Sequence, residues 1–209
     1  MFQQLVLPHL RPALTVFAVM AAGLGLIYPL SMTGLAQLLF PDQARGSLVL
    51  VDGEVRGSAL IGQAFTAPHY FHGRPSAVDF DAADSGASNH GQSVRVQVEA
   101  VRARTEAVLA ADGGTTVPVD RVTASASGLD PHVTPASAFL QAARIAAARG
   151  IDRAEVEALI QAHVEPPVGG LLGASRVNVL RLNLALDAMA PLVEDGAEPA
   201  AEHQAEFRG

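Results

Sequence analysis

The sequence predicts a small α/β (α+β) soluble domain, with one small sheet and several helices, tethered by a single N-terminal transmembrane helix. Three observations carry this. Residues Pro12 to Pro41 form thirty consecutive positions without a charge. Two apolar runs flank Asp52-Gly53, a strong hairpin signal. Thr134-Pro135 and Asp152 open two helical patterns on either side of Gly150.

The uncharged stretch nearly crosses a ~30 Å hydrocarbon layer from Ala13 to Leu30, and Leu35, Leu38, Leu39 and Phe40 supply the remaining depth. The chain therefore divides into a short amino-terminal segment (1–12), a span (13–39), a domain (40–190) and an acidic tail (191–209). A signal peptide cleaved after Ala36 competes with this reading, but such apolar regions usually run about 7–15 residues. A buried helix of a soluble protein rarely avoids charge for so long. Pro29 predicts a kink, and Gly23 and Gly25 leave backbone bare for a neighbouring helix. By the positive-inside rule Arg11 competes with Arg45 and Arg56, and the balance leans toward an amino terminus inside.

Cysteine and lysine are both absent, and all fourteen basic residues are arginine. Disulfides, thiolate chemistry, a Walker A lysine and a Schiff base are thereby excluded. The net charge is −7, and the part beyond Arg11 sums to −8. Such a domain is a poor partner for nucleic acid or anionic lipid and concentrates cations instead.

Ser47 to Val51 and Glu54 to Ile61 make the hairpin. Gly62 to Gln92 lacks periodicity and reads as a long loop, a type often used for binding. A helix covers Ser93 to Ala111, with Val94, Val98, Val101 and Val108 on one face, and stops at Asp112-Gly113-Gly114. Val117 to Ser125 reads as an edge strand around Pro118. A helix follows from Thr134 to Gly150, and another starts at Asp152, with Glu155 completing a capping box and Ile151 stapling onto Val156. Val177 to Leu186 alternates Leu180, Leu182, Leu184 and Leu186 and is read as a strand, although Val177, Leu180 and Leu184 also suit a helix. Glu194 to Gly209 is acidic, alanine-rich and expected to be disordered.

Candidate chemistry is sparse. His69 and His72, with Asp79, Asp81, Asp84 and His90 downstream, hold metal-ligand residue types but lack helical i, i+4 spacing. Ser85 to Asn89 and Thr123 to Gly128 have the hydroxyl and glycine content of a phosphate cradle and, equally, of tight turns. Ser125 or Ser127 with Asp130 and His132 would make a serine triad, but triads usually draw on separated segments. The helix start at Thr134 could bind an anion or simply be capped. These residues favour an accessory or binding role over catalysis.

Several stretches together resemble one family. They are Arg11-Pro-Ala-Leu, Tyr28-Pro-Leu, Gly46-Ser-Leu, Arg56-Gly-Ser-Ala-Leu-Ile-Gly-Gln63, Tyr70-Phe-His-Gly-Arg-Pro-Ser-Ala77 and Ser85-Gly-Ala-Ser-Asn89. Val119 to Asp130, Thr134-Pro, Ala148-Arg and Val177-Asn-Val-Leu-Arg-Leu-Asn-Leu-Ala-Leu-Asp187 follow in order. From Leu10 to about Met189 the chain resembles the C subunit (KdpC family) of the Kdp potassium-transporting P-type ATPase, departing in the tail and in Ser-Gly-Ala-Ser, where a second glycine is common. The resemblance implies a non-catalytic, single-pass inner-membrane subunit with a cytoplasmic amino terminus and a periplasmic domain. Its implied partners are a channel-like potassium-selective subunit, an ATP-hydrolysing P-type subunit and a small membrane peptide. The family is also described as a chaperone that binds ATP, which would place Ser85, Gly86, Ser88 and Asn89 at the nucleotide. An external domain conflicts with cytoplasmic ATP, and the scaffold role is the preferred implication.

Overall fold

The computed structural model describes residues 2–192. The acidic tail lies outside the described residues from residue 193 onward. The fold forms two compact units, one reaching Leu60 and one starting at Ile61.

The first unit opens with helix α1 (Phe2–Ala22), a π segment (Gly23–Ile27) and helix α2 (Tyr28–Leu39). Within it His9–Leu39 is long and apolar enough to cross a membrane, and none of its most apolar window is buried. The predicted distortion at Pro29 is taken up one turn earlier. Tyr28 N–H donates to Gly23 O, five residues back. Proline lacks a donor and its ring crowds the carbonyl four residues before it, here that of Gly25, so the wider π turn relieves both problems. A one-turn helix α3 (Pro41–Ala44) leads to strands β1 (Leu48–Val51) and β2 (Glu54–Ser58). They pair antiparallel around Asp52 (φ 53°) and Gly53 (φ 81°), the conformation that a two-residue hairpin requires.

The second unit begins with a long connection that holds no helix or strand before helix α4 (Arg95–Asp112). Only the last turns of α4 pack: Val108 is buried, whereas Val94 and Val98, expected on its inner face, are exposed. Helix α5 (Val119–Val122) stands where an edge strand was expected. A helical turn separates Asp120, Arg121 and Val122 by about 100° each, letting Asp120 and Arg121 serve different partners while Val122 enters the core; a strand would put Asp120 and Val122 on one face.

Strand β3 (His132–Val133) precedes helix α6 (Pro135–Arg149), then come helix α7 (Arg153–Ala162), strand β4 (Val164–Glu165), strand β5 (Arg176–Asn178) and helix α8 (Val179–Met189). Strand β5 is central in an antiparallel sheet ordered β3-β5-β4, with Val133 and Val164 both opposite Val177. The caps follow the sequence. Thr134 accepts from Ser137 N, Gly150 closes α6 at φ 66°, and Asp152 accepts from Ala154 N. The expected strand over Val177 to Leu186 stops at Asn178, whose side chain caps α8 by accepting from Arg181 N. Val179, Leu182, Asn183 and Leu186 are all buried at i, i+3, i+4 and i+7, so helical spacing overrides the alternation.

The core joins Phe71, Val133, Ala138, Ala142, Ile145, Val156, Ile160, Val177, Leu182 and Leu186. Small buried alanines on α6 let α7 approach closely. Leu182→Ala, at a fully buried site, is expected to cost about 2–5 kcal/mol, read as a lower urea midpoint by circular dichroism in detergent. Leu38→Ala, on the exposed span, should leave that midpoint unchanged.

Candidate functional site

The densest polar cluster surrounds Pro68 to Gly73, an irregular segment whose backbone is bonded by side chains instead of a sheet. Asn183 of α8 accepts from Phe71 N at 2.8 Å and donates to Phe71 O at 3.0 Å. Gln141 of α6 does the same for His72, at 2.8 and 3.2 Å. Each carboxamide thus imitates one residue of a neighbouring strand. Phe71 is fully buried between them.

Asp112, at the end of α4, is the anion of a buried triad. Arg144 Nε donates to its Oδ1 at 2.6 Å and Arg121 Nη2 to its Oδ2 at 3.1 Å. Its side chain is fully buried and those of Arg121 and Arg144 are 7% and 10% exposed. The guanidinium groups also reach the segment's carbonyls. Arg121 Nη1 donates to His72 O and Gly73 O, and Arg144 Nη1 to Pro68 O and Tyr70 O. Burial pushes the Arg121 guanidinium down from its ordinary value, and Asp112 counters that. At the other end, Arg149 donates to His69 O, Ala190 O and Asp187 Oδ1, and its guanidinium lies 5.1 Å from the Tyr70 ring centre. Tyr70 donates its hydroxyl to Asp187 at 3.1 Å, and burial, then Asp187, raises its pKa.

The two histidines point away from metal chemistry. His72 Nε2 lies 3.0 Å from Ala67 O and so carries the proton, and burial lowers its pKa. His69 stacks on Tyr70, with its pKa lowered by burial and by Arg149. Among the described residues no group of three or more metal-ligand side chains converges.

The two hydroxyl-rich loops meet each other. Ser85 Oγ and Gly86 N–H both donate to Ser127 O at 3.0 Å. Gly128 (φ 70°) must stay glycine, since a Cβ there would lie 2.4 Å from Val78 Cγ2. Ser88 and Asn89 remain exposed, Asn89 at φ 54°. Of the four residues expected at a nucleotide, two are thus engaged inside the chain.

The serine-triad residues are likewise spoken for. Ser125 Oγ faces Ser127 Oγ at 3.4 Å, and Ser127 Oγ accepts from Leu129 N. Asp130 takes Arg74 Nη1 at 3.0 Å and His132 N–H at 3.0 Å, with His132 Nδ1 at 3.7 Å. Among the described residues no hydrogen bond joins His132 to either serine. Burial pushes the Asp130 carboxyl up, but the side-chain and backbone bonds from His132 and the bond and charge from Arg74 outweigh it and take it down to about 2.

The anion position at the start of α6 is filled from within. Asp120 accepts from Thr134 N at 2.7 Å, Thr134 Oγ1 at 3.1 Å and Ser137 Oγ at 2.5 Å, as the helix dipole favours. A cleft of about 240 Å³ beside it is lined by Arg74, Asp120, Asp130, His132, Thr134 and Arg176 among others, the first five already bound to one another.

The comparisons with known proteins cover the part of the chain that builds this cluster. The family model described as "KdpC: K+-transporting ATPase, c chain" matches residues 10–188. The chain belongs to the KdpC family. A potassium-transporting ATPase KdpC subunit of Cereibacter sphaeroides is 56% identical over 180 residues, covering 86% of this chain and 97% of the relative. One from Polaromonas naphthalenivorans is 53% identical over 192 residues, covering 90% and 98%. One from Caulobacter vibrioides is 50% identical over 188 residues, covering 88% and 95%.

The matched region covers the buried cluster from Pro68 to Asp187. Sequence reading passed over Asp112, Arg121, Gln141, Arg144 and Asn183 as functional residues. Gln141 and Asn183 did carry a signal, as polar residues on otherwise apolar helix faces. Asp112→Asn leaves two buried guanidinium groups without a counter-charge and is expected to cost about 3–5 kcal/mol, measured by urea unfolding. Asp130, ordinarily near 3.8 and held near 2, contributes stability that is present above the unfolded value and lost as pH falls through the folded one. Asp130→Asn should therefore flatten the acid limb of stability against pH between about 4 and 2.

Proposed function

We propose that the chain is a non-catalytic accessory subunit of an ATP-driven potassium uptake complex, whose span docks among partner helices and whose domain stabilises the assembly. In this reading the amino terminus is cytoplasmic, the span crosses the inner membrane, and the second unit is periplasmic. The partners are a channel-like potassium-selective subunit, a P-type subunit that carries hydrolysis and a small membrane peptide. The observation that carries the reading is a long apolar helix with exposed side chains within a chain that matches the c-chain family over residues 10–188.

Two further features support it. Gly23 and Gly25 lie in the π segment, and a Cβ at either would meet nothing within 4 Å, so both are open to a neighbouring helix. The side chains of the polar cluster are committed to the chain's own backbone, as suits a rigid scaffold. With a charge of −8 beyond Arg11, a periplasmic domain would also raise the local cation concentration at the potassium entrance.

Replacing residues 13–39 by an unrelated apolar helix of equal length tests the docking role. The variant is expected to stay in the membrane and to lose co-purification with the other subunits; full assembly would remove this role. Protease digestion of oriented vesicles tests the topology, with the second unit cleaved only from the periplasmic side. The second reading, an ATP-binding chaperone, rests on Ser88 and Asn89 being exposed beside Ser85 and Gly86. It requires a photoreactive ATP analogue to label this loop in the complex, and the engagement of Ser85 and Gly86 with Ser127 leads us to expect no label there.

A further inference from the structure

Two-stranded hairpins are marginal alone and need one face covered, yet the β1–β2 hairpin has an open apolar face. Leu50 and Val55 are direct cross-strand partners, and Leu48 lies two residues from Leu50 on the same side. They are 59%, 57% and 48% exposed. The charged residues Glu54 and Arg56 lie one position from Val55, on the opposite face, and pair at 3.3 Å.

The hairpin is rooted at the exit of the span. Ala44 N donates to Phe40 O, Arg45 N to Pro41 O and Ser47 N to Asp42 O, coiling the connection tightly. Ser58 Oγ then donates to Gly46 O at 2.6 Å and Ala59 N to Ser47 O at 3.0 Å, fixing the end of β2 to the same turn. The last turn of the span is itself open, with Leu38 78%, Leu39 58% and Phe40 58% exposed. The open apolar end of the span and the open hairpin face are thus separated by only the seven residues 41–47, which are closed into this turn.

We propose that this hairpin rests on the bilayer surface beside its own span, with Leu48, Leu50 and Val55 entering the headgroup–acyl boundary. The inference rests on the reading of His9–Leu39 as a membrane span. A two-stranded ribbon has two edges, whose outward backbone groups hydrocarbon would penalise and interfacial water satisfies. Glu54, Arg56 and the Asp52 turn face that water, while the apolar face sinks only to the shallow depth of about 5–10 Å typical of interfacial elements.

The chain has no tryptophan, so single-tryptophan variants report one site each. Full-length Leu50→Trp, Leu24→Trp and Val119→Trp chains are reconstituted in phosphatidylcholine vesicles carrying bromine either near the headgroup or near the acyl ends. The expected result is strong quenching of Trp at position 24 by deep bromine. At position 50, shallow bromine should quench more than deep, with blue-shifted emission, and position 119 should be unquenched. If position 24 is quenched and position 50 is not, the hairpin inference fails while the span stands. If position 24 is also unquenched, the span reading fails and the hairpin inference falls with it. If position 50 shifts to the blue without quenching, and only when the chain is in its complex, a protein covers the face and the lipid assignment is overturned.

Discussion

The second unit depends on one constraint, the need to satisfy the backbone of Pro68 to Gly73 after it has been drawn into the core by Phe71. An apolar plug fully removed from water takes its own N–H and C=O with it, and each unmade bond there would cost about 1–3 kcal/mol. Among the described residues no strand pairs with it, so side chains from three helices substitute. Asn183 and Gln141 serve Phe71 and His72, while Arg121, Arg144 and Arg149 close the flanking carbonyls. Arginine suits this use because one planar group donates in several fixed directions at once.

Those cations then need a counter-charge, and this requirement sets the geometry around them. Asp112 must sit at the end of α4, and α5 must be a helical turn so that Arg121 can face it. The same turn aims Asp120 at the start of α6, where it meets the free N–H groups and hydroxyls. A segment that looks like an unstructured loop is thus the hub to which α5, α6 and α8 are bonded directly and α4 through Asp112. The polar atoms of this hub are thereby occupied by the chain's own backbone and side chains.

The first unit obeys different rules. Its helix has no core to bury in, and its hydrogen bonds are internal, which is what hydrocarbon demands of a spanning segment. Pro29 would break that economy, and the π segment ending at Ile27 is the local remedy.

Much of this was legible from residues alone. The uncharged stretch, the Asp52-Gly53 turn and the Thr134, Gly150 and Asp152 caps are decided by nearest neighbours, and the structure agrees with each. The mistaken strands had a common cause. Val117 to Ser125 and Val177 to Leu186 both show β-like residues whose conformation is fixed by distant partners, the Asp112 carboxylate in one case and the three-helix core in the other. The loop residues Ser85, Gly86 and Ser127 announced turn chemistry but not that the turns would bond to each other. What the sequence determined was the long apolar helix, the hairpin, the helix ends and, through its ordered motifs, the family. Only the tertiary structure decided where the arginines go, because a buried cation is defined by partners as far as 80 residues away and no local pattern records them.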